Sequence, residues 1–185
     1  MLASIARWWS KKRLAKLKVA RGADRTLRRL SSYNTFLILL DPEDIRAGEQ
    51  INQLVKELKE QRKRVEVCTY SGAKEVPAHL RASSAYLVLR PIDVNWYERP
   101  VSERALRIMA MANDILLDFT HEPPIPVQWL AVGSKASIKV GFAQQAFIQY
   151  DLLIAAGERS STRERIELLW HYLGEDLQEP TTAEM

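Results

Sequence analysis

Residues 35–40, Thr-Phe-Leu-Ile-Leu-Leu, are a near-continuous apolar run of strand length, followed at once by Asp41-Pro42-Glu43-Asp44. A strand apolar at successive positions has no polar face to offer water, so it must be covered on both sides. Strands in parallel sheets are in that situation, because their crossovers lay helices over both faces. The segment after it reads as a helix start: Asp41 suits the N-cap, Pro42 the first helical position, and the acids the positive end of the helix dipole. Ile51, Leu54, Val55 and Leu58 then recur at helical spacing up to Arg62-Lys63-Arg64, and residues 65–70 are again of strand length. Strand, helix and strand in that order make a βαβ unit, whose crossover is right-handed.

The alternation continues. A third strand is expected at 85–89, then an irregular stretch at 91–100 holding Asp93, Asn95, Trp96 and Tyr97. A helix at 102–113 would bury Ala105, Leu106, Met109 and Ala112, and a fourth strand at 114–119 carries Asp118 near its end. Pro123, Pro124 and Pro126 break the chain before a short helix at 127–132 that Gly133 stops. Strands follow at 137–142 and 150–155. Ser161 and Glu164 have capping-box spacing and open a last helix with Ile166, Leu169, Trp170 and Leu173 on its buried face and Gly174 as its stop. The expected fold is α/β: a Rossmann-like three-layer sandwich with a mostly parallel sheet, preceded by a basic N-terminal helix. At 185 residues the chain supports one such core and not two. The expected organisation is a basic helical arm and linker at 1–34, with Ser31-Ser32-Tyr33-Asn34 as the linker, the α/β domain at 35–177, and a loose tail at 178–185.

Charge divides the chain differently. The first thirty residues hold ten Lys or Arg and one acid, Asp24, a net +9; against +4 for the whole chain, the rest carries −5. Such asymmetry points to a polyanionic partner. Arm composition favours helix apart from Gly22. Leu2, Ile5, Trp8 and Trp9 gather on one helical face, Lys12 and Arg13 interrupt it, and Leu14 and Leu17 fall elsewhere. An anchored end with a solvated basic middle is therefore expected, not a helix packed along its whole length.

Catalytic and cofactor motifs are missing. The seven glycines form neither GxGxxG nor GxxxxGKS, and the turn after the first strand contains none, which argues against a phosphate cradle. Gly141 reads as relief of crowding in a strand or bulge. No GxSxG elbow occurs. Cys68 is the single cysteine, and His79, His121 and His171 have no zinc-ligand spacing with it, so no metal, cofactor or disulfide is expected. A reducing cytoplasm fits, and neither a signal peptide nor a bilayer-spanning run is read.

Two clusters remain as possible ligand-binding groups. Asp41 and Asp118 would fall at carboxyl ends of strands, where open α/β sheets bind ligands, and His121 could join them. The plainer reading is an N-cap for Asp41, a turn residue for Asp118 and a surface turn for His121. Trp96 and Tyr97 could stack on a base or sugar, or equally cover a sheet edge. No residue is assigned a catalytic role.

Three stretches carry a resemblance: Asp93-Val-Asn-Trp-Tyr-Glu-Arg-Pro100, Asn113-Asp-Ile-Leu-Leu-Asp-Phe119, and Ser134-Lys-Ala-Ser-Ile-Lys-Val-Gly-Phe142 with Tyr150-Asp-Leu-Leu-Ile154 behind it. With the basic leader they resemble an uncharacterised bacterial family of small Rossmann-like proteins, a domain of unknown function. That resemblance implies a fold and no activity. The Asp-Ile-Leu-Leu-Asp and Ile-Lys-Val-Gly-Phe strands are also distantly similar to the N-terminal half of heptosyltransferases. Leu40-Asp41-Pro42 stands where those enzymes place a Gly-Asp turn, and the second domain that holds their nucleotide sugar has no counterpart, so no catalytic residue is carried over.

The arm has three readings. Lys11, Lys12, Arg13, Lys16, Lys18, Arg21, Arg25, Arg28 and Arg29 could neutralise phosphates of RNA or a ribosome. Trp8 and Trp9 beside a polybasic block also suit an anionic membrane surface. Or the helix docks its tryptophans on its own body and its charge only keeps it soluble. The first function expected is a cytoplasmic, non-enzymatic adaptor binding a polyanion through the arm. Its alternatives are a peripheral membrane protein linked to envelope biogenesis and an enzyme related to sugar transferases.

Overall fold

A computed structural model of the chain describes residues 2–17, 25–41, 45–73, 86–157 and 160–174. Its strands are β1 (Thr35–Leu39), β2 (Arg64–Tyr70), β3 (Tyr86–Leu89), β4 (Ile115–Asp118), β5 (Ile138–Gly141) and β6 (Leu152–Leu153). They form one sheet in the order β3-β2-β1-β4-β5-β6, with every neighbouring pair parallel. The helices among the described residues are α1 (Leu2–Leu14), α2 (Ile45–Glu60), α3 (Glu103–Ala110), α4 (Ile125–Gly133) and α5 (Thr162–Leu173). The Rossmann-like sandwich read from the sequence is present, with a sheet that is wholly parallel.

The apolar run in β1 does what its pattern requires. Phe36, Ile38 and Leu40 pack with Ile51, Leu54 and Leu58 of α2 and Leu169 and Leu173 of α5 on one face. Leu37 and Leu39 pack with Ala105 and Ile108 of α3 and Val127, Leu130 and Ala131 of α4 on the other. Each of these five β1-segment side chains is at most 1% exposed, and full burial of a residue of this size contributes about 1.5–3 kcal/mol.

Local signals set the ends of several elements. At α5 the Glu164 N–H donates to Ser161 Oγ (3.3 Å) while Ser161 N–H donates back to Glu164 Oε2 (2.7 Å), the expected capping box. The backbone bond from Ser161, with the hydroxyl behind it, holds the Glu164 carboxyl below its ordinary range. Helix α4 begins at Ile125, earlier than expected, because Pro124 at its N-cap and Pro126 in its first turn give up no N–H that the helix needs.

One expectation is corrected. Helix α3 buries Ala105 and Ile108, whereas Leu106 is 41% exposed and Ala112 lies beyond the helix in solvent. The chain turns extended at Met111, so the helical spacing on which the longer face was drawn stops there. The 31–34 linker is built into the body. A short 3₁₀ turn, Leu30–Ser32, keeps the serines outside and directs Leu30 and Tyr33 into the α2 and α5 side of the core. Pro42, Glu43 and Asp44 of the helix start, Lys18, Arg21 and Gly22 of the arm, His79, and the tail after Asp176 lie outside the described residues.

Candidate functional site

Strands β1 and β4 are neighbours, yet the chain leaves β1 toward β2 and β3 and leaves β4 toward β5 and β6. Their carboxyl ends are therefore the topological switch point, the place where open α/β sheets hold ligands. Asp41 follows β1 and Asp118 ends β4, as the sequence places them. Asp118 is 1% exposed. Its Oδ1 accepts from the Thr120 N–H (3.0 Å) and hydroxyl (2.5 Å), and its Oδ2 from the Tyr150 hydroxyl (2.7 Å). Burial pushes its carboxyl pKa up, against the pull of the Thr120 and Tyr150 hydrogen bonds. Asp41 Oδ2 accepts from the His121 N–H at 2.8 Å.

Arg165, buried in the first turn of α5, completes this cluster. Its Nη1 donates to the Phe119 carbonyl (2.8 Å), its Nε to Ser160 Oγ (3.1 Å), and its Nη2 lies 3.4 Å from His121 Nδ1. Burial lowers its pKa, and the carboxylates of Asp41 and Asp118 oppose that. Asp41, Asp118 and His121 are thus brought together, with Thr120, Tyr150 and Arg165 as members the sequence reading missed. Arg165 carried no signal, since it stands beside the charged Arg163, Glu164 and Glu167 as a surface arginine would. Both Asp118 oxygens are engaged within the fold, and the Tyr150 ring lies so close over Gly141 that a Cβ there would sit 2.6 Å from it. The tyrosine fills the space between the ends of β4 and β5. Gly141 relieves crowding, as its strand position suggested. The hydrogen bonds tie the segment after β5 to β4, which is structural work.

The N-terminal helix provides the other candidate surface. It docks through Ala6, Ser10 and Leu14, one residue per turn, all buried. The Trp129 Nε1–H of α4 donates to Ser10 Oγ at 2.6 Å, with both groups buried. The face drawn through Ile5, Trp8 and Trp9 is not the docking face: these residues are 48%, 55% and 38% exposed. Small side chains at Ala6 and Ser10 let α1 approach α4 closely, which indoles at those positions would prevent. That one-per-turn spacing was visible in the sequence but is masked by the larger residues beside it.

The outward face joins the 91–100 loop. Ring centroids run from Trp8 to Trp9 (5.5 Å), Trp9 to Trp96 (6.5 Å), Trp96 to Tyr97 (5.1 Å) and Tyr97 to Trp129 (6.3 Å). Lys12 Nζ lies 4.9 Å from the Trp8 ring centroid, and Arg13 Cζ 5.0 Å from that of Tyr97 and 5.8 Å from that of Trp9. Trp96 and Tyr97, read as one pair, differ in burial: Tyr97 is buried and packs, whereas Trp96 is 65% exposed. Of the basic residues, Lys11, Lys12, Arg13 and Lys16 are exposed and make no ion pair among the described residues. Arg25 is different, because it bonds to Asp151 of the body, whose other oxygen accepts the Lys139 N–H (2.8 Å). Arg28 and Arg29 are exposed, and the Arg28 N–H donates to the Tyr33 hydroxyl at 2.9 Å. Among the described residues no helix is long and apolar enough to cross a membrane.

Strand order and the docked cationic helix define a class: a parallel α/β sandwich of Rossmann order with a basic helix packed on it. Within that class the chain belongs to a family of unknown function, DUF6913, whose model matches residues 6–175 and so takes in most of the docked helix as well as the body. No curated protein and no solved structure matches the chain.

Proposed function

We propose that this protein is a non-enzymatic adaptor that binds a polyanion, RNA or a ribonucleoprotein, through the outward face of its N-terminal helix. One observation carries the reading. Lys11, Lys12 and Arg13 project from a helix whose other side is fastened to α4, and Lys16 stands in the turn just after it, so the charges are presented on a fixed surface and, among the described residues, are not paired with the molecule's own acids. Phosphates neutralised there would release counterions, giving sequence-independent and salt-sensitive affinity. The crevice gives this reading indirect support, since Tyr150 and Thr120 already occupy the carboxylate a ligand would meet. The test is an anisotropy titration of labelled RNA at low salt. Replacing Lys11, Lys12, Arg13 and Lys16 with Gln in the full chain removes charge while leaving Ala6, Ser10 and Leu14 docked. The variant loses binding; equal affinity for the two proteins overturns the reading.

A further inference from the structure

From the row of exposed indoles beside those charges we infer a narrower ligand class: single-stranded nucleic acid, with unpaired bases stacked on Trp96 and Trp8 and phosphates held by Lys11, Lys12 and Arg13. This rests on the polyanion reading and specifies its substrate. Three features carry it.

First, the rings are placed on rigid supports. Trp96 stands at a tight loop tip where Asn95 Oδ1 accepts the N–H groups of both Tyr97 (3.2 Å) and Arg99 (3.0 Å), Val94 bridges to Pro100, and Glu98 takes a left-handed φ of 63°. Trp8 and Trp9 are held by the docked helix. A platform fixed in advance loses little conformational freedom when a base settles on it.

Second, Trp96 leaves most of its ring in solvent, although it meets Trp9 and Tyr97 in edge-to-face contacts. It is 65% exposed, and among the described residues no cation lies over its ring. Base stacking on such a ring is tolerant of sequence, because every base has a π face.

Third, charge and aromatic surface are interleaved. Lys12 lies 4.9 Å from the centroid of Trp8 and Arg13 5.8 Å from that of Trp9. Sinking these indoles into lipid would carry an ammonium and a guanidinium to the same depth, whereas a membrane-surface helix keeps its cations on the opposite, polar face. A nucleic-acid strand presents bases and phosphates side by side and needs both groups at one level. Duplex bases are stacked on each other and have no face to give to an indole, so the platform selects unpaired strands.

The experiment uses the full-length protein and compares an unstructured single-stranded RNA with a blunt duplex of the same length. It also takes Trp96→Ala combined with Trp8→Ala, and Trp96→Phe as the conservative variant. Circular dichroism checks that each variant is folded. The single strand is expected to bind more tightly than the duplex. The double variant should lose about five-fold or more per ring removed while keeping the wild-type salt dependence, and Phe should restore most of the Trp96 share. Equal affinity for duplex and single strand, or unchanged affinity in the double variant, overturns the stacking inference and leaves the charge reading standing. Failure of the wild type to bind either RNA overturns both. In that event, flotation with vesicles of phosphatidylserine in phosphatidylcholine, abolished in the double variant, assigns the same face to a membrane.

Discussion

Tyr150 lies across Gly141 so closely that a single added methyl would meet its ring at 2.6 Å, while its hydroxyl holds Asp118 on the neighbouring strand. A backbone with no side chain is therefore what lets the tyrosine fill the space between the ends of β4 and β5. Gly141→Ala should destabilise the protein by about 1–3 kcal/mol through overpacking. Denaturant unfolding of Gly141→Ala, Tyr150→Ala and the double variant checks this. The two losses should be strongly less than additive, since removing the ring removes the clash.

Asp118 gives a pH signature of definite sign. Its carboxyl pKa is raised in the fold by burial, above the unfolded value of about 3.9. A group raised in this way is better tolerated protonated, so its ionisation costs stability progressively as pH climbs from the unfolded toward the folded value. Asp118→Asn keeps an acceptor for Thr120 and removes the charge. It should be more stable than wild type at pH 7, with the margin vanishing below about pH 4. Asp118→Ala should instead lose about 1–3 kcal/mol, because the buried Thr120 and Tyr150 donors are left unpaired. Urea midpoints across that pH range read both.

The docked helix should come loose before the sheet does. Ser10→Ala leaves the buried Trp129 N–H without an acceptor, and Leu14→Ala opens a cavity where α1 meets the body. Hydrogen exchange should show faster exchange confined to α1 in both variants, with protection of β1 and β4 retained. Equal loss of protection throughout would mean that α1 folds only together with the core.

Cys68 should be a silent thiol. It is wholly buried in β2, and burial pushes its pKa up, with Glu66 adding to the effect. The thiolate is the reactive form, so alkylation at neutral pH should proceed no faster than unfolding. Rapid labelling of native protein would show that β2 opens locally.

The layer architecture was legible because β1 is apolar at nearly every position and α2 keeps a strict helical face; such patterns leave one physical solution. Ser161 and Glu164 likewise fixed the start of α5 by spacing alone. The docking of α1 was not legible in the same way. Burial there is done by Ala6 and Ser10, residues too small to register as a hydrophobic stripe, while the conspicuous Trp8 and Trp9 face outward. Leu30 and Tyr33 were hidden similarly behind Ser31 and Ser32. At the crevice the sequence placed Asp41, Asp118 and His121 correctly at strand ends, but Tyr150 and Arg165 reach them only through tertiary structure, from 32 and 44 residues away.

The central claim is that charge fixed on the outer face of α1 does the recognising, and the slope of log K against log salt concentration tests it most directly. Wild type should weaken steeply with salt on single-stranded RNA. With Lys11, Lys12, Arg13 and Lys16 replaced by Gln the slope should flatten by about 0.7 for each phosphate that is no longer neutralised. Superimposable lines for the two proteins would contradict the account.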